Sequence, residues 1–347
     1  MLELISHHTI AYFTDIASYL INANQRVFWL YLLSAFILGY IAYRQHLSRT
    51  ANAKSSYFQY LFSPRIWLHQ SAKHDYAIFL INKVFKLAGI TVSLVVMAPI
   101  AISFSSTIEQ WFGASGLSNT PIWLVGIAFT AILFVLDDLS RFLLHYLLHK
   151  IPFLWEFHKV HHSAKVLTPM TIYRSHPVES LLYATRMAGT QGIAVGISYY
   201  FFGATLEMQA ILGANAFVFV FNLMGSNLRH SHVWLSWGNA LEWIFISPAQ
   251  HQIHHSTQRK HFDANFGSAL AIWDKLFGCH IFASSVAEPS TINFGISKHN
   301  TEHTSLAEIY FMPFVLSAKV LFGSVFQSRD RTTPPKKHQD INQHTEE

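Results

Sequence analysis

The sequence predicts an all-α fold, an integral-membrane helical bundle with a histidine-rich metal site on its cytoplasmic side. Three observations carry that expectation. Of the 347 residues, 51% are hydrophobic and only 12% are charged, against roughly 25% charged in an average soluble domain. Several apolar runs approach the about 20 residues that cross a bilayer as a helix. The 22 histidines are not scattered: His145, His149, His158, His161 and His162 fall together, as do His251, His254, His255 and His261.

The first long apolar run is Val27–Tyr43. No basic n-region or small-residue cleavage site lies ahead of it, so it reads as a retained span and not a signal peptide. A polar stretch with Arg44, Arg49, Lys54, Arg65 and Lys73 follows. Tyr76–Phe104 is long enough for a second span, with Lys83 and Lys86 near its start expected to snorkel to the interface. Pro121 suits a helix start, and the third span runs through Ile122–Leu136 into Asp137–His149. Leu181–Phe202 and Leu206–Leu228 form an apolar pair broken by Gly203, whereas Phe311–Val325 is shorter and expected at the interface or packed on the bundle. The polar tail after Gln327 has the composition of a disordered segment. Three regions follow: N-terminal spans and a basic loop over 1–120, a catalytic region over 121–285, and a C-terminal segment over 286–347.

Charge sets the expected orientation. The net charge is +5, but Lys and Arg form no single stripe of the kind that binds nucleic acid, which is excluded as a partner. They gather in 44–75, 150–174, 229–275 and the tail (Arg329, Arg331, Lys336, Lys337), while the alternate segments hold Glu3, Asp15, Glu109 and Glu207. The positive-inside rule places the basic segments in the cytoplasm, and every histidine cluster lies with them. Cys279 is the single cysteine, so neither an intrachain disulfide nor a thiolate metal cluster can form.

Histidine spacing points to metal chemistry. His145 and His149 read HxxxH; His158, His161 and His162 read HxxHH; His251, His254 and His255 repeat HxxHH. Residues three or four apart share a helix face, so each box can turn its imidazoles toward one place. Eight imidazoles exceed what one tetrahedral zinc needs and suit two metals of higher coordination number. Imidazole serves zinc, copper, iron and nickel alike, so ligand type does not choose the metal. Isolated His7, His8, His46, His69, His74, His299, His303, His338 and His344 read as packed or surface residues. Asp138, two turns before His145 on the same face, is a candidate to orient that imidazole. Asp137 and Arg141, four apart, are placed to pair.

The stretches DDLSRFLLHYLLHKIPFLWEFHKVHHS, YRSHPVES and SPAQHQIHHSTQRKHFDANFGSALAIWDKLFG, between Asp137 and Gly278, carry a resemblance. In the order and spacing of its boxes the chain resembles the fatty acid hydroxylase (sterol desaturase) superfamily of membrane di-iron oxygenases. Its closing segment is similar to alkylglycerol monooxygenase-like bacterial members. The resemblance implies two Fe ions, with zinc possible in isolated protein, and hydroxylation or desaturation of a lipid by dioxygen. It also implies an external electron donor (a ferredoxin, cytochrome or reductase), because no Gly-rich dinucleotide fingerprint, flavin site or haem domain is visible. A bacterial inner membrane is the implied location. His230 in NLRHSH joins the ligand set, with His176 in SHPVE and His232 as further candidates; Asn265 and Asp274 take supporting roles. Many relatives carry an acidic residue shortly after HHS, whereas this chain reads HHSAKVLTPMT, so the substrate does not carry over. The competing readings are a zinc-binding membrane protein, a metal transporter, and a degenerate member with structural zinc. Boxes at helix ends, with no inverted repeat, count against a transport path.

Overall fold

The computed structural model describes residues 2–49, 56–115, 117, 119–203, 216–296 and 303–327, and its regular structure there is helical. Among these residues β pairing is limited to two isolated bridges, Phe245 with Leu270 and Ser256 with Phe294. Lys54, His299, the first part of the Leu206–Leu228 run and the tail after Gln327, with its four basic residues and His338 and His344, lie outside the described residues. So do the side chains of His7, His8 and Arg49.

Helix α1 (Leu2–Ile21) precedes the first apolar run. Helix α2 (Trp29–Arg49) covers the first apolar run. The single span expected over Tyr76–Phe104 is instead two helices, α3 (Gln70–Leu87) and α4 (Met97–Phe112). Gly89 ends the first of them at φ 75°, a left-handed value that glycine reaches without a Cβ penalty. Lys83 does not snorkel either. It is 4% exposed because Asp15 of α1 accepts a bond from its ammonium at 2.7 Å, while Lys86 reaches the same carboxylate at 3.4 Å.

Proline opens the next elements. Pro121 precedes α5 (Ile122–Lys150), and Pro152 and Pro177 begin α6 (Pro152–His162) and α7 (Pro177–Phe202), where a missing N–H costs nothing. Helix α8 is short (Ala216–Leu223), and a 3-10 turn, Ser226–His230, follows Gly225 at φ 85°. Helix α9 (Pro248–His254) starts with a capping box between Ser247 and Gln250, which satisfies two orphan amides reciprocally. Helix α10 (Leu306–Gln327) is longer than the Phe311–Val325 stretch read from sequence.

Two of these helices are long and apolar enough to cross a membrane, Ile122–Lys150 and Leu306–Gly323. The second is longer than expected, because the apolar character extends back through Leu306 and Ile309, and it packs on the bundle against α6. Only 22% and 17% of their most apolar windows are buried, so neither is the interior helix of a soluble core. Exposed Ile102, Trp111 and Phe112 on α4, and Phe311 and Phe322 on α10, extend this apolar surface. It is far more than a water-facing monomer tolerates.

Small residues let helices approach where the site needs a rigid wall. α4 lies along α7, α7 along α5, and α6 against both α5 and α10. A Cβ on Gly192 would stand 2.8 Å from that of Ile100, and one on Gly196 would stand 2.7 Å from the Ala101 carbonyl. Glycines four apart thus bring α7 into near-backbone contact with α4, the packing used between helices in lipid. At the other end, buried Arg174 donates to the Val160 carbonyl (2.9 Å), Ser163 Oγ (2.8 Å) and Asp75 Oδ1 (2.9 Å). This ties the end of α6 to α3.

Candidate metal centre

Each residue of a helix is rotated by about 100° from the last, so the three histidines of an HxxHH box cannot all face one point. Positions one and five align; position four faces aside. The structure uses this in mirror fashion. His158 and His162, the aligned pair of α6, gather with His145 and His149 of α5 and with His254, the odd member of the second box. His251 and His255, the aligned pair beginning in α9, gather with His230 of the 3-10 turn and with His161, the odd member of the first box. Within each group the ligand-capable atoms lie within 4.8 Å of one another. Each box therefore serves both groups, a division that spacing alone left unassigned.

Ring orientation is set from outside. His145 Nδ1 donates to the Phe266 carbonyl at 2.8 Å, His254 Nδ1 to that of Ala264 at 2.8 Å, and His161 Nδ1 to that of Arg174 at 3.3 Å. His158 Nδ1 donates to Glu179 Oε1 at 3.0 Å. A proton held on Nδ1 leaves Nε2 with a free lone pair turned inward. The Nε2 atoms of His149 and His162 lie 3.1 Å apart, those of His161 and His230 3.2 Å, and those of His230 and His251 3.0 Å. Burial holds His158 down to about 3 and His161 to about 4, and burial plus neighbouring imidazoles depresses His162, His230, His251, His254 and His255 well below the ordinary value. All are neutral at physiological pH, the form that ligates metal.

The orphaned atoms test whether a metal fits. His158 Nε2, His254 Nε2 and His255 Nε2 are buried without a hydrogen-bond partner. Unsatisfied acceptors in both groups, His158 and His254 in one and His255 in the other, are costly in a native interior, and a cation in each removes the cost. All-nitrogen sets of five and four suit a borderline transition metal and do not suit calcium or magnesium, which take oxygen ligands. The nine imidazoles fit two such ions.

Residues 130–279 match the fatty acid hydroxylase family. All nine histidines of the two groups fall within that stretch. Ornithine lipid hydroxylase OlsE of Rhizobium tropici is 31% identical over 174 residues, 49% of this chain and 46% of the relative. Alkylglycerol monooxygenase of Danio rerio is 25% identical over 180 residues, 51% of this chain and 35% of the relative. A Delta(7)-sterol 5(6)-desaturase, ERG3B of Gibberella zeae, is 30% identical over 156 residues, covering 44% and 42%. The chain thus spans less than half the length of these curated relatives. No solved structure matches it significantly.

The remaining candidates fall outside both histidine groups. Asp138 does not orient His145. Its carboxylate accepts from Ala269 N (2.8 Å), Leu270 N (2.9 Å) and Trp273 Nε1 (2.9 Å). Seven residues share a face but span about 10 Å of rise, out of a carboxylate's reach. Asp274 does the parallel work next door, accepting from Phe266 N (2.6 Å) and Gly267 N (2.8 Å); burial pushes its carboxyl up to about 7 against the pull of Cys279 and these amides. Gly267 is required there, because a Cβ would meet Asp274 Oδ2 at 2.6 Å. Asn265, at φ 57°, clamps Ile281 and the Gln250 carbonyl. His176 caps α7 through Nδ1 and bonds the Tyr310 carbonyl through Nε2 at 3.1 Å. His232 Nε2 bonds the Tyr60 carbonyl at 2.8 Å. Asp137 pairs with Arg141 at 3.1 Å, as spacing suggested, and also with Arg186 at 2.9 Å.

Two residues escaped the sequence reading. Glu179, the partner of His158, sits three residues after His176 in the quoted SHPVES, and a carboxylate beside a histidine box was the available signal. Arg174 opens the same motif's neighbourhood, yet nothing in sequence marks it as buried. Two cavities touch the histidine groups. One, of about 380 Å³, touches His149, His162 and His254 beside Trp155, Phe262 and Asp263. The other, of about 420 Å³, touches members of both groups.

Proposed function

We propose that this protein is a membrane-bound di-iron oxygenase that hydroxylates or desaturates a lipid, using dioxygen and electrons from a separate ferredoxin, cytochrome or reductase. The observation that carries the reading is the division of nine imidazoles into two adjacent groups that share both HxxHH boxes. Five ligands would come from His145, His149, His158, His162 and His254, and four from His161, His230, His251 and His255. Iron held there supplies the redox chemistry that lets dioxygen attack an unactivated C–H bond. The relatives' names support lipid as the substrate class and oxidation as the reaction.

The chain's own residues supply placement. Carbonyls of Phe266, Ala264 and Arg174 and the Glu179 carboxylate fix the inward lone pairs. Phe266 packs its ring against His145, His149 and His254 and excludes water from that side. The region 121–285 would be the catalytic unit, braced by 1–120 through Asp75 and Arg174 and by 286–347 through α10 on α6. The basic segments support a bacterial inner-membrane orientation with the site toward the cytoplasm, where a basic surface can dock an acidic donor.

Purified protein loaded under reducing, iron-replete conditions should hold two metals per chain and consume dioxygen with lipid and a reductant. Stoichiometric zinc with no oxygen uptake on any lipid would sink the proposal in favour of a zinc-binding membrane protein. Glu179→Gln tests the outer layer. Losing the carboxylate behind His158 should weaken metal retention in the five-histidine group by roughly 10–100-fold in a chelator competition, leaving the other group intact. Equal losses from both groups would mean that Glu179 acts on the fold and not on His158.

A further inference from the structure

The 420 Å³ cavity touches His145 and His158 of one histidine group and His161, His230 and His251 of the other, so a substrate seated in it faces both. Its walls are not those of a purely apolar lipid slot. Arg26, Arg141 and Arg229 all line it, against one acid, Glu179, whose Oε1 is already engaged by His158. Arg141 shares Asp137 with Arg186. The other two guanidiniums have only neutral partners. Arg26 donates to Asn222 Oδ1 and, at 3.1 Å, to Ser226 Oγ. Arg229 donates to the carbonyls of Ser268 (2.5 Å) and Ser226 (3.3 Å) and lies 5.0 Å over the Phe221 ring. Among the described residues neither has a carboxylate within ion-pair distance.

A buried guanidinium with no carboxylate at ion-pair distance is expensive, and Arg229 is 5% exposed, with Asp137 and Asp138 acting on Arg26 and Arg229 only from beyond that distance. Cations in both histidine groups would raise the cost further, since imidazoles contribute no negative charge. Planar guanidiniums match carboxylate and phosphate oxygens two at a time. A neighbouring cavity, of about 270 Å³, shares Ile172, Ser175 and Ser180 with it and carries Lys83 and Lys86, which share Asp15.

We infer that this cavity takes a lipid bearing an anionic oxygen group, carboxylate or phosphate, close to the carbon that reacts, and that Arg26 and Arg229 hold that group. The inference rests on the oxygenase reading for the reaction, but the anion site stands on the arginines alone. Carboxylate and phosphate share this chemistry, and the experiment separates them.

The test uses the full-length, metal-loaded protein immobilised in nonionic detergent, with competition against a radiolabelled fatty acid by palmitate, hexadecyl phosphate, uncharged hexadecanamide and hexadecyltrimethylammonium. At least one anion should compete ten-fold or more better than the amide, and the cation worst; which anion wins names the source. In Arg26→Gln and Arg229→Gln the preference should fall toward unity, and Arg26→Lys should recover part of it, with metal content checked in each variant as the measure of an intact fold. An amide that competes as well as both anions, or an anion preference that survives both glutamine variants, overturns the inference. Dioxygen uptake read on the same samples keeps the two ideas apart. Anion preference without lipid oxidation defeats the oxygenase reading alone, and oxidation of uncharged lipid with no preference defeats this one alone.

Discussion

Replacing His254 by alanine should strip one metal ion from each chain and abolish lipid oxidation, while the helices remain. His254 Nε2 is one of the orphaned inward atoms, and its Nδ1 is fixed by the Ala264 carbonyl. Its ring packs against those of His145, His149 and His162. Losing a direct ligand should cost more than the roughly 10–100-fold in metal affinity that an outer partner costs. Metal analysis after desalting reads the result, with His251→Ala as the counterpart that empties the four-histidine group and His232→Ala as the variant that empties neither. If His254→Ala retained two tightly held metals, the assignment of five ligands would be wrong.

The largest effect on stability should come from a residue that touches no histidine. Asp138→Ala leaves the Ala269 and Leu270 amides and the Trp273 indole N–H without their acceptor in a buried loop. Each buried donor left unpaired costs about 1–3 kcal/mol. Three sharing one carboxylate do not add simply, but the sum is on the order of several kcal/mol. A clear drop in melting temperature in detergent should follow, with Asp138→Asn between the two because it keeps one acceptor oxygen. The loop at risk presents the Phe266 carbonyl to His145, so metal retention should fall with stability. A melting temperature unchanged from wild type would show that the loop is held by other means.

What the sequence made legible was local. Proline at 121, box spacing and apolar length each act over a few residues, and helices α5 and α6 and the gathering of the boxes follow from them. The break at Gly89 was less legible, because apolar composition runs straight through it. The true extent of α10 was hidden for the opposite reason: Glu308 and Tyr310 interrupt the apolar run at its start, and the helix nevertheless includes them. The partition of histidines follows from helical rotation, yet which group claims the odd member of each box depends on how α6 and α9 face each other, and that is tertiary. Asp138 shows the same limit. Its face was correct, but its partners lie more than 130 residues away in a loop whose path only the fold decides.

The mirrored sharing of the two boxes also imposes an order of events on the growing chain. Five of the nine imidazoles are made early, by His162, but four of those belong to one group and the fifth to the other. Neither set closes until synthesis has passed His254 and His255, and the loop that steers His145 and His254 follows later still, at Ala264 and Phe266. A nascent chain therefore cannot complete either set before both boxes exist and face one another. Metal capture becomes a late step that reports a finished fold, and truncation anywhere before residue 254 leaves both sets incomplete.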